Sequence, residues 1–250
     1  MKKLLCSPFY AVAALVTAFC FHTTPIQGAD VEFEEEDSGL EIGASLAWTS
    51  RYMSEGLDNL DGKSIFSTTL EASLENFLFE LWYGFSPNVS YDELELGLYY
   101  CLEWDDFEFY AGAAHLRYFR DREHENELVV GGEYSGVPAN LALGAEVCYN
   151  LEQWGYFAEV HLSGSYEVTD FITLTPMALM GMNQGYTPDG HHGPNHFALS
   201  LEARTPLTKS LELSVSASYQ WAIDRNARRY EGDDLLKNCF IFGAALHATF

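Results

Sequence analysis

The amino-acid sequence predicts an all-β protein, a closed antiparallel up-and-down transmembrane β-barrel of about twelve strands. Three observations predict this class. Apolar residues recur at every second position in segment after segment, which is the period of a strand with two different faces. The connections between these segments alternate between short and long. No part of the chain offers the ~20 consecutive apolar residues that a transmembrane helix requires.

The start of the chain has the pattern of a secretory signal peptide. A lysine pair is followed by an apolar run up to Phe21 and by a small-residue cleavage point after Ala29. No Pro/Ser-rich linker divides the remainder, so one domain is expected. We therefore expect residues 1–29 to be a signal peptide, residues 30–38 an acidic periplasmic segment and residues 39–250 the barrel.

Twelve segments show the alternation. The clearest is 211–222, where Leu, Leu, Val, Ala, Tyr and Trp occupy one parity and Glu, Ser, Ser, Ser and Gln the other. Segments 93–102 and 140–150 are nearly as regular. In chain order, the predicted strands are 40–52, 64–74, 77–85, 93–102, 107–118, 127–135, 140–150, 155–166, 171–182, 197–204, 211–222 and 239–250.

The fifth segment, 107–118, fits the alternation less well. The phenylalanines at its start put the apolar face on odd positions, whereas Leu116 and Tyr118 put it on even positions. A β-bulge near residues 112–114 would reconcile the two halves, because a bulge inserts one extra residue and changes the parity.

The ninth segment, 171–182, contains Pro176, which has no N–H to donate to a neighbouring strand. We expect this strand to be bent or locally unpaired at that residue.

The connections indicate which rim is which. After even-numbered strands they are short, as in EN, WDD, GVPA, VTD and PLTKS. After most odd-numbered strands they are longer: SEGLDNLDGK, the run ending in REHEN, GYTPDGHHGPN and DRNARRYEGDDLLKN, with EQWG as the exception. Short turns at one rim and long loops at the other are typical of outer-membrane barrels, and an even strand number returns both termini to the short-turn rim.

The signal peptide, the alternating strands and the terminal Phe250 together give the chain a resemblance to the bacterial outer-membrane β-barrels. This resemblance implies that the barrel-assembly machinery reads the last strand through Phe250, although the third residue from the end, usually aromatic, is Ala248. The stretch 43–66 resembles the first hairpin of the TorF-like porin family. Its Ser50, Tyr52 and Gly56 match, whereas Glu55 holds the place of an arginine.

If the apolar parity faces lipid, the other parity lines the lumen. That parity is rich in glutamate and serine and poor in basic residues, and Arg117 belongs to it only if the bulge exists. Rings of acidic side chains favour cations, and salt weakens the effect over ~8 Å. We therefore predict weak cation preference. The predicted pore-lining residues are Arg51, Glu71, Glu80, Glu95, Glu133, Glu146, Glu159 and Arg204.

These residues favour an outer-membrane porin-like channel for passive diffusion of small polar or cationic solutes. The alternative is a non-conducting scaffold or surface-binding barrel, since twelve strands lie between the small packed barrels and the large open ones. The expected partners are outer-membrane lipids, the assembly machinery and small solutes. With 37 acidic and 13 basic residues, a nucleic-acid surface is not expected.

A lipid hydrolase is a distant third interpretation. His161 and Ser163 resemble the His-x-Ser of outer-membrane lipid hydrolases, in which the imidazole takes the serine proton. Those enzymes present the pair on the outer wall, whereas this pair shares its parity with Glu159 and is expected to face the lumen. We therefore predict no enzymatic activity.

Two further residue sets leave alternatives open. Asp189, His191, His192 and His196 lie close together in sequence and could ligate Zn or Cu, but the surrounding glycines and prolines favour a surface loop. No metal site or cofactor is therefore predicted. Three widely spaced cysteines, Cys101, Cys148 and Cys239, are expected to be small buried thiols, with one disulfide among them not excluded by spacing.

Overall fold

The computed structural model describes residues 39–250. These residues form a closed antiparallel β-barrel, which confirms the predicted fold class. The sheet contains thirteen segments, but two of them are parts of one interrupted strand, so the wall has twelve strands. The signal peptide and the acidic segment predicted before residue 39 lie outside the described residues.

The strands of the wall agree closely with the alternating segments. Three of them, β5, β7 and β14, have the predicted bounds. The wall strands are β1 (Leu40–Thr49), β4 (Ile65–Leu74), β5 (Phe77–Phe85), β6 (Asp92–Trp104), β7 (Phe107–Tyr118), β8 (Glu123–Val137), β9 (Leu141–Asn150), β10 (Gly155–Gly164) with β11 (Tyr166–Thr169), β12 (Ile172–Gln184), β13 (Gly193–Pro206), β14 (Leu211–Ala222) and β15 (Cys239–Thr249). Three short elements lie outside the wall: β2 (Met53–Ser54), β3 (Leu57–Asp58) and a 3-10 turn, η1 (Glu231–Asp234).

Each wall strand pairs with its neighbour along the chain, and the first and last strands close the ring. Leu46 of β1 lies opposite Leu246 of β15 in a register that continues from Gly43–Thr249 to Thr49–Gly243. Closure therefore leaves neither the first nor the last strand as a free edge of the sheet. Within residues 39–250, no helix is long and apolar enough to cross a membrane.

The two faces of the wall have opposite chemistry. Large apolar side chains on the outside are exposed, including Leu46, Leu70, Leu98, Val130 and Phe240. Aromatic side chains pack together on this outer face towards the rims, stacked in the pairs Phe107–Tyr134 and Phe66–Phe85 and edge to face in the pair Tyr219–Phe240. An apolar outer band with aromatic girdles is what a bilayer requires of a barrel that crosses it.

The bulge predicted in β7 is absent, and that prediction is wrong. The register of β7 with β6 and with β8 runs without a shift from Phe107 to Tyr118. Leu116 therefore points inwards, where it is 3% exposed, and Arg117 points outwards. The alternation in the sequence predicted the wrong parity for Leu116 because part of the barrel interior is apolar.

Pro176 has the predicted effect. Strand β12 pairs continuously with β13 through Pro176–Leu201. On its other side the ladder stops after Ser163–Met177 and resumes at Tyr166–Leu174. The gap between β10 and β11 therefore lies opposite Pro176, which supplies no donor there.

The two rims differ as predicted. The short connections are 75–76, 105–106, 138–140, 170–171 and 207–210, and those at the other rim are 50–64, 86–91, 119–122, 151–154, 185–192 and 223–238. The REHEN run is the exception, because β8 begins at Glu123 and only 119–122 remains as a loop. We call these the short-turn rim and the long-loop rim. In an outer-membrane barrel the short-turn rim is periplasmic.

Candidate functional site

The connection 50–64 folds into the barrel rather than away from it. Its strands β2 and β3 pair through Met53–Asp58 and Ser54–Leu57. Every residue of these two strands is buried, as is Tyr52, which is 2% exposed. We call residues 52–63 the inner hairpin.

Polar contacts tie the inner hairpin to the wall. The Tyr52 hydroxyl donates to a Glu93 carboxylate oxygen at 2.6 Å. The Asn195 side-chain amide donates to the Glu55 carbonyl at 2.8 Å, and the Gln220 amide donates to the Gly56 carbonyl at 2.6 Å. These bonds satisfy backbone groups that would otherwise be buried without partners.

Gly56 is required at the tip of the inner hairpin. Its φ is +78°, a conformation that side chains other than glycine rarely adopt. A Cβ atom there would also lie 2.5 Å from Nδ1 of the buried His196 ring. Any larger residue would therefore push the hairpin off the wall.

The loop 223–238 covers the inner hairpin from the long-loop rim. The Asp58 N–H donates to the Leu235 carbonyl at 2.9 Å, and Leu57 forms an antiparallel bridge with Leu236. Met53 packs with Cys239 and Ile241 of β15 in a small apolar cluster. The hairpin, the covering loop and the wall thus form one packed unit.

The inner hairpin divides the interior into two regions. Inward side chains near the long-loop rim are buried with it; examples are Trp82, Glu93, Val129 and Phe157. Many inward side chains nearer the short-turn rim are half-buried and polar: Glu41, Glu71, Glu103, Glu108, Glu133, Thr173, Thr175, Glu212 and His247. Water therefore reaches the inner wall most freely from the short-turn rim.

Seven of the eight predicted pore-lining side chains project inwards from wall strands, as alternation indicated: Glu71, Glu80, Glu95, Glu133, Glu146, Glu159 and Arg204. The eighth, Arg51, does not lie on a wall strand. It precedes the inner hairpin and forms an ion pair with Asp58, with 2.7 Å between Nη1 and Oδ2. Whether these side chains line a conducting pore stays a prediction.

Several of the inward carboxylates have tyrosine, histidine or thiol neighbours rather than lysine or arginine. The Tyr110 hydroxyl donates to Glu146 at 2.5 Å, and the Cys148 thiol donates to Glu127 at 2.9 Å. Nε2 of His161 lies 3.1 Å from Glu133. These contacts orient the carboxylates without cancelling their charge.

Charge is unevenly distributed around the interior. The arc from β5 to β10 carries most inward carboxylates: Glu80, Glu93, Glu95, Glu103, Glu108, Glu127, Glu133, Glu146 and Glu159. The opposite arc, formed by β14, β15, β1 and β4, carries mainly small inward residues: Ser214, Ser216, Ser218, Gly243, Ala245, Gly43, Ser45, Ala47, Ser67 and Thr69. One side of the interior is therefore acidic, and the other is lined by small side chains. We call these two sides the acidic arc and the small-residue arc.

Among the arginines of the wall strands, Arg204 is the one whose side chain projects inwards. It forms an ion pair with Glu202 on the same strand, and its Nη1 lies 3.7 Å from Oε1 of Glu212 on β14. Arg204 is 4% exposed and Glu202 is 5% exposed. This group therefore compensates neighbouring carboxylates near the short-turn rim.

The histidines predicted as an alternative metal site have separate partners. Nδ1 of His191 lies 2.9 Å from Asp233, His192 faces Gln184 at 3.4 Å, and His196 contacts Asn195 at 2.8 Å. Throughout residues 39–250, no three His, Cys, Asp or Glu side chains are grouped closely enough to hold a metal ion.

His191 instead joins two loops. Its ring contacts Asp233 through Nδ1 and the Pro194 carbonyl through Nε2, each at 2.9 Å. Both acceptors are oxygens, so the doubly protonated ring satisfies both contacts. The backbone N–H of His191 also donates to the Asp233 carboxylate at 2.9 Å, so two bonds tie the loop 185–192 to the loop 223–238, and the Asn226 N–H holds the same carboxylate from within its own loop at 2.7 Å. We call this the His191–Asp233 clasp.

The clasp perturbs both groups. Burial alone lowers the pKa of His191, but the bonds to Pro194 and Asp233 and the charges of Asp233 and Asp224 outweigh it and raise the pKa. Burial alone raises the pKa of Asp233, but the hydrogen bonds from Asn226 and His191 outweigh it and lower the pKa.

We expect the clasp to loosen as the pH rises. A raised histidine pKa stabilises the folded loops fully below the unfolded value of about 6.5, and this contribution is lost as the pH rises through the folded pKa. The lowered pKa of Asp233 contributes above its unfolded value and is lost only in acid. Amide exchange in the two loops, corrected for the intrinsic pH dependence, should be slower near about pH 5.5 than near about pH 8.5.

The matched variants are His191→Gln and His192→Gln. The first should abolish the pH dependence of exchange in both loops, and the second, in the same loop but with its ring exposed, should preserve it. Equal pH dependence in all three proteins would contradict the clasp.

The pair resembling a hydrolase motif faces the interior, as its parity predicted. His161 contacts Glu133, and Ser163 is 4% exposed.

The cysteines Cys101, Cys148 and Cys239 are free thiols, so no disulfide links them.

Sequence reasoning missed the inner hairpin as a buried element. Asn195, Gln220 and Glu93, which anchor it, carried no signal of that role. A signal did exist in the loop itself, because Leu57 and Leu60 are apolar residues between the turn glycines Gly56 and Gly62. A loop surrounded by water would leave these apolar side chains exposed.

A closed twelve-stranded antiparallel barrel with an apolar outer band and aromatic girdles is an outer-membrane β-barrel, and the outer membrane is therefore its location. Among solved structures the fold is similar to the KdgM porin in complex with disordered oligogalacturonate, with a TM-score of 0.55, 9% identity and coverage of 84% of this chain and 99% of that one. It is also similar to the NanC porin, with a TM-score of 0.51, 12% identity and coverage of 84% and 98%.

A third similar structure is an outer-membrane channel from Pseudomonas putida F1, with a TM-score of 0.53, 13% identity and coverage of 88% of this chain and 100% of that one. No model of a known protein family matches the sequence, and no curated protein matches it. At these identities the likeness establishes a porin-like barrel fold.

Proposed function

We propose that the protein is a porin-like channel that passes small polar or cationic solutes through the outer membrane by passive diffusion. The observation that carries this proposal is the excess of carboxylates on the inner face of a barrel whose wall strands carry one inward guanidinium, Arg204. A carboxylate-lined lumen attracts cations and repels anions. No chemical step is involved.

The small-residue arc supports a path past the inner hairpin. Ser45, Ala47 and Thr49 of β1, with Ser67 and Thr69 of β4, are half-buried along most of the barrel height. The hairpin contacts the acidic arc through the Tyr52–Glu93 bond, and its contacts with the other arc include Gln220 of β14 and Cys239 and Ile241 of β15. Solutes would therefore move along the half-buried inner faces of β1 and β4.

The negative charge of the inner face indicates which charge of solute the barrel would favour. The KdgM structure is described as a complex with an oligogalacturonate, which is a polyanion at neutral pH. The inner face of the present chain has the wrong sign for such a ligand, because Glu71, Glu80 and Glu146 would repel carboxylates. This contrast supports cationic or uncharged polar solutes.

Planar bilayers test the proposal directly. We expect discrete conductance steps from the purified full chain and a reversal potential of cation-selective sign in a KCl gradient. The preference should weaken as salt rises, because screening shortens to about 3 Å at 1 M. Absence of steps where a control porin opens would overturn the channel, and an anion-selective potential would overturn the argument from the glutamates.

A second candidate is favoured by the buried inner hairpin. A hairpin that stays in place, with the covering loop locked over it, would make the barrel a non-conducting scaffold that binds partners through its long loops. The same bilayer measurement separates the two, because the scaffold predicts no steps.

We also propose the finer relationship to the TorF-like porin family. It is supported by the roles of the three matching positions. The Ser50 hydroxyl accepts the Phe242 N–H at 2.9 Å, Tyr52 donates to Glu93, and Gly56 supplies the tip of the inner hairpin. The departure at Glu55 leaves the family's basic position acidic. Recognition of Phe250 by the barrel-assembly machinery stays a prediction.

A further inference from the structure

Two carboxylates face each other without a basic neighbour where the acidic arc meets β4. Glu71 of β4 and Glu80 of β5 lie directly opposite each other on the inner face. Side chains in this arrangement have Cβ atoms about 5 Å apart, and like charges there are destabilising. The inward positions of β4, β5 and β6 include no lysine, arginine or histidine. The pair therefore lacks a compensating charge from its own strands.

Two polar side-chain atoms at this site, one on Glu80 itself and one on Tyr99 of β6, are buried without a hydrogen-bond partner. They are Oε2 of Glu80, on a residue that is 3% exposed, and the hydroxyl of Tyr99, on a residue that is 1% exposed. Gly97 lies directly opposite Glu80, and the Tyr99 hydroxyl is 2.6 Å from the place that a Gly97 Cβ would occupy. The missing side chain of Gly97 thus leaves room for the hydroxyl over the position opposite Glu80.

Buried polar atoms in proteins nearly always have partners, and a buried carboxylate without one is costly. We propose that Glu71, Glu80 and Tyr99 form a binding site for the ammonium group of a small organic cation. An ammonium group carries three N–H donors and one positive charge, so it satisfies both unpartnered oxygens and separates the two carboxylates. The inference rests on the proposed channel function and names the class of solute.

An ammonium group fits this site better than a metal ion. A bound metal needs several ligands converging at fixed short distances, and no such group exists in the part of the chain that the structure describes. A hydroxyl and two carboxylates suit directional N–H donors. A water molecule would satisfy the hydrogen bonds but leave the charge uncompensated.

The site can be reached from the open region of the interior. Glu71 is half-buried, whereas Glu80 beside it on the neighbouring strand is buried. Glu95 of β6 is one inward position away from Gly97, which lies opposite Glu80. A cation entering from the short-turn rim would meet the more accessible Glu71 first, and a second ammonium group of the same molecule would find Glu95 close by.

The test is calorimetric binding of 1,4-diaminobutane to the purified full chain in detergent at low salt, with 1,4-butanediol as the uncharged control. We expect saturable binding of the diamine and none of the diol. Glu80→Gln removes the charge at nearly constant shape and should raise the dissociation constant about tenfold or more. Tyr99→Phe removes one acceptor and should raise it about threefold to tenfold.

The matched control is Glu167→Gln, which removes an exposed carboxylate of β11, across the barrel from β4 and β5. It should leave the dissociation constant within about twofold, because a charge across the barrel acts on the site only weakly through water. Equal weakening by Glu167→Gln and Glu80→Gln would reveal diffuse attraction only and would overturn the site. Absence of diamine binding to the natural sequence would also overturn it.

Binding in detergent does not depend on conduction, so the two proposals fail separately. Cation-selective conductance without diamine binding would overturn the site alone. Diamine binding without conductance would overturn the channel alone and leave the barrel as a binding scaffold.

Discussion

Removal of the inner hairpin is expected to raise the single-channel conductance by roughly an order of magnitude, because conductance follows the open cross-section of the narrowest region. The change replaces residues 53–62 with an Asn-Gly turn, which suits a two-residue connection. Tyr52 and Lys63 already form a backbone hydrogen bond of 3.2 Å across the neck, so the shortened loop has an anchor. Single-channel recording in planar bilayers measures the effect.

The barrel wall should survive this deletion. The register of β1 with β4 runs from Thr49–Ile65 to Leu40–Leu74 and involves no residue of the hairpin. Heat-modifiable gel mobility and far-ultraviolet circular dichroism check the fold. Unchanged conductance in a correctly folded variant would contradict the assignment of the hairpin as the constriction.

A disulfide that fixes the hairpin provides the opposite perturbation. In the Leu57–Leu236 bridge, the Asp58 N–H bonds the Leu235 carbonyl, which makes the bridge a pair without mutual hydrogen bonds. Such pairs have Cα atoms about 4.5 Å apart, within the range of a disulfide.

The variant Leu57→Cys/Leu236→Cys should conduct less when oxidised and recover on reduction. The natural sequence is the control, because the three cysteines within residues 39–250 are free and well separated along the chain. An oxidised double variant that conducts as well as its reduced form would show that the hairpin does not move away from the covering loop during conduction.

Strand positions could be read from the sequence because the wall obeys one simple rule. Every wall residue has lipid on one side and the interior on the other, and the outer apolar residues therefore recur with period two. Segment 211–222 has this form throughout, and its bounds were predicted correctly. The inward direction of Glu80, Glu146 and Glu159 followed from the same parity.

The error in β7 has a physical cause. Parity was assigned there by assuming that every inward residue is polar. Near the long-loop rim the interior contains apolar side chains that pack with the inner hairpin, such as Trp82 and Val129. Leu116 is buried at an inward position in the same region, while Arg117 lies outwards at the aqueous end of the strand. Local alternation contains no information about a segment packed inside from fifty residues or more away.

The start of β8 shows the converse limit. Residues 123–126 are all polar or charged, yet they pair with β7 as regularly as the rest of the strand. They extend beyond the apolar band, where neither face needs to be apolar. Hydrophobic period therefore marks the part of a strand within the bilayer, not its full length.

Partners across the interior were also beyond the reach of sequence. The contacts Tyr52–Glu93, Asn195–Glu55 and Gln220–Gly56 join positions far apart in the chain. Each depends on how far the loop 50–64 enters the barrel, which composition does not determine. The same holds for Arg51, whose partner is Asp58 of the hairpin rather than a group on the wall.

Loss of the Arg204 guanidinium is expected to destabilise the barrel by about 3–5 kcal/mol, because removing one member of a buried ion pair leaves the other charge uncompensated. Arg204 and Glu202 are both almost fully buried, and Glu212 lies 3.7 Å from the guanidinium. The change is Arg204→Met, which keeps most of the side-chain volume. The free energy of unfolding in lipid vesicles, from urea titration, measures the effect.

The double variant Glu202→Gln/Arg204→Met separates charge from packing. The Glu202→Gln change removes the carboxylate charge that Arg204→Met leaves unpaired, so the double variant should recover most of the lost stability. The coupling energy between the two positions should be about 2 kcal/mol or more. Arg204→Lys keeps the charge but loses the planar fork, so it should lie between the natural sequence and Arg204→Met. If the double variant is no more stable than Arg204→Met, the guanidinium acts by filling space, and the carboxylates near the short-turn rim must obtain their compensation from solvent cations instead.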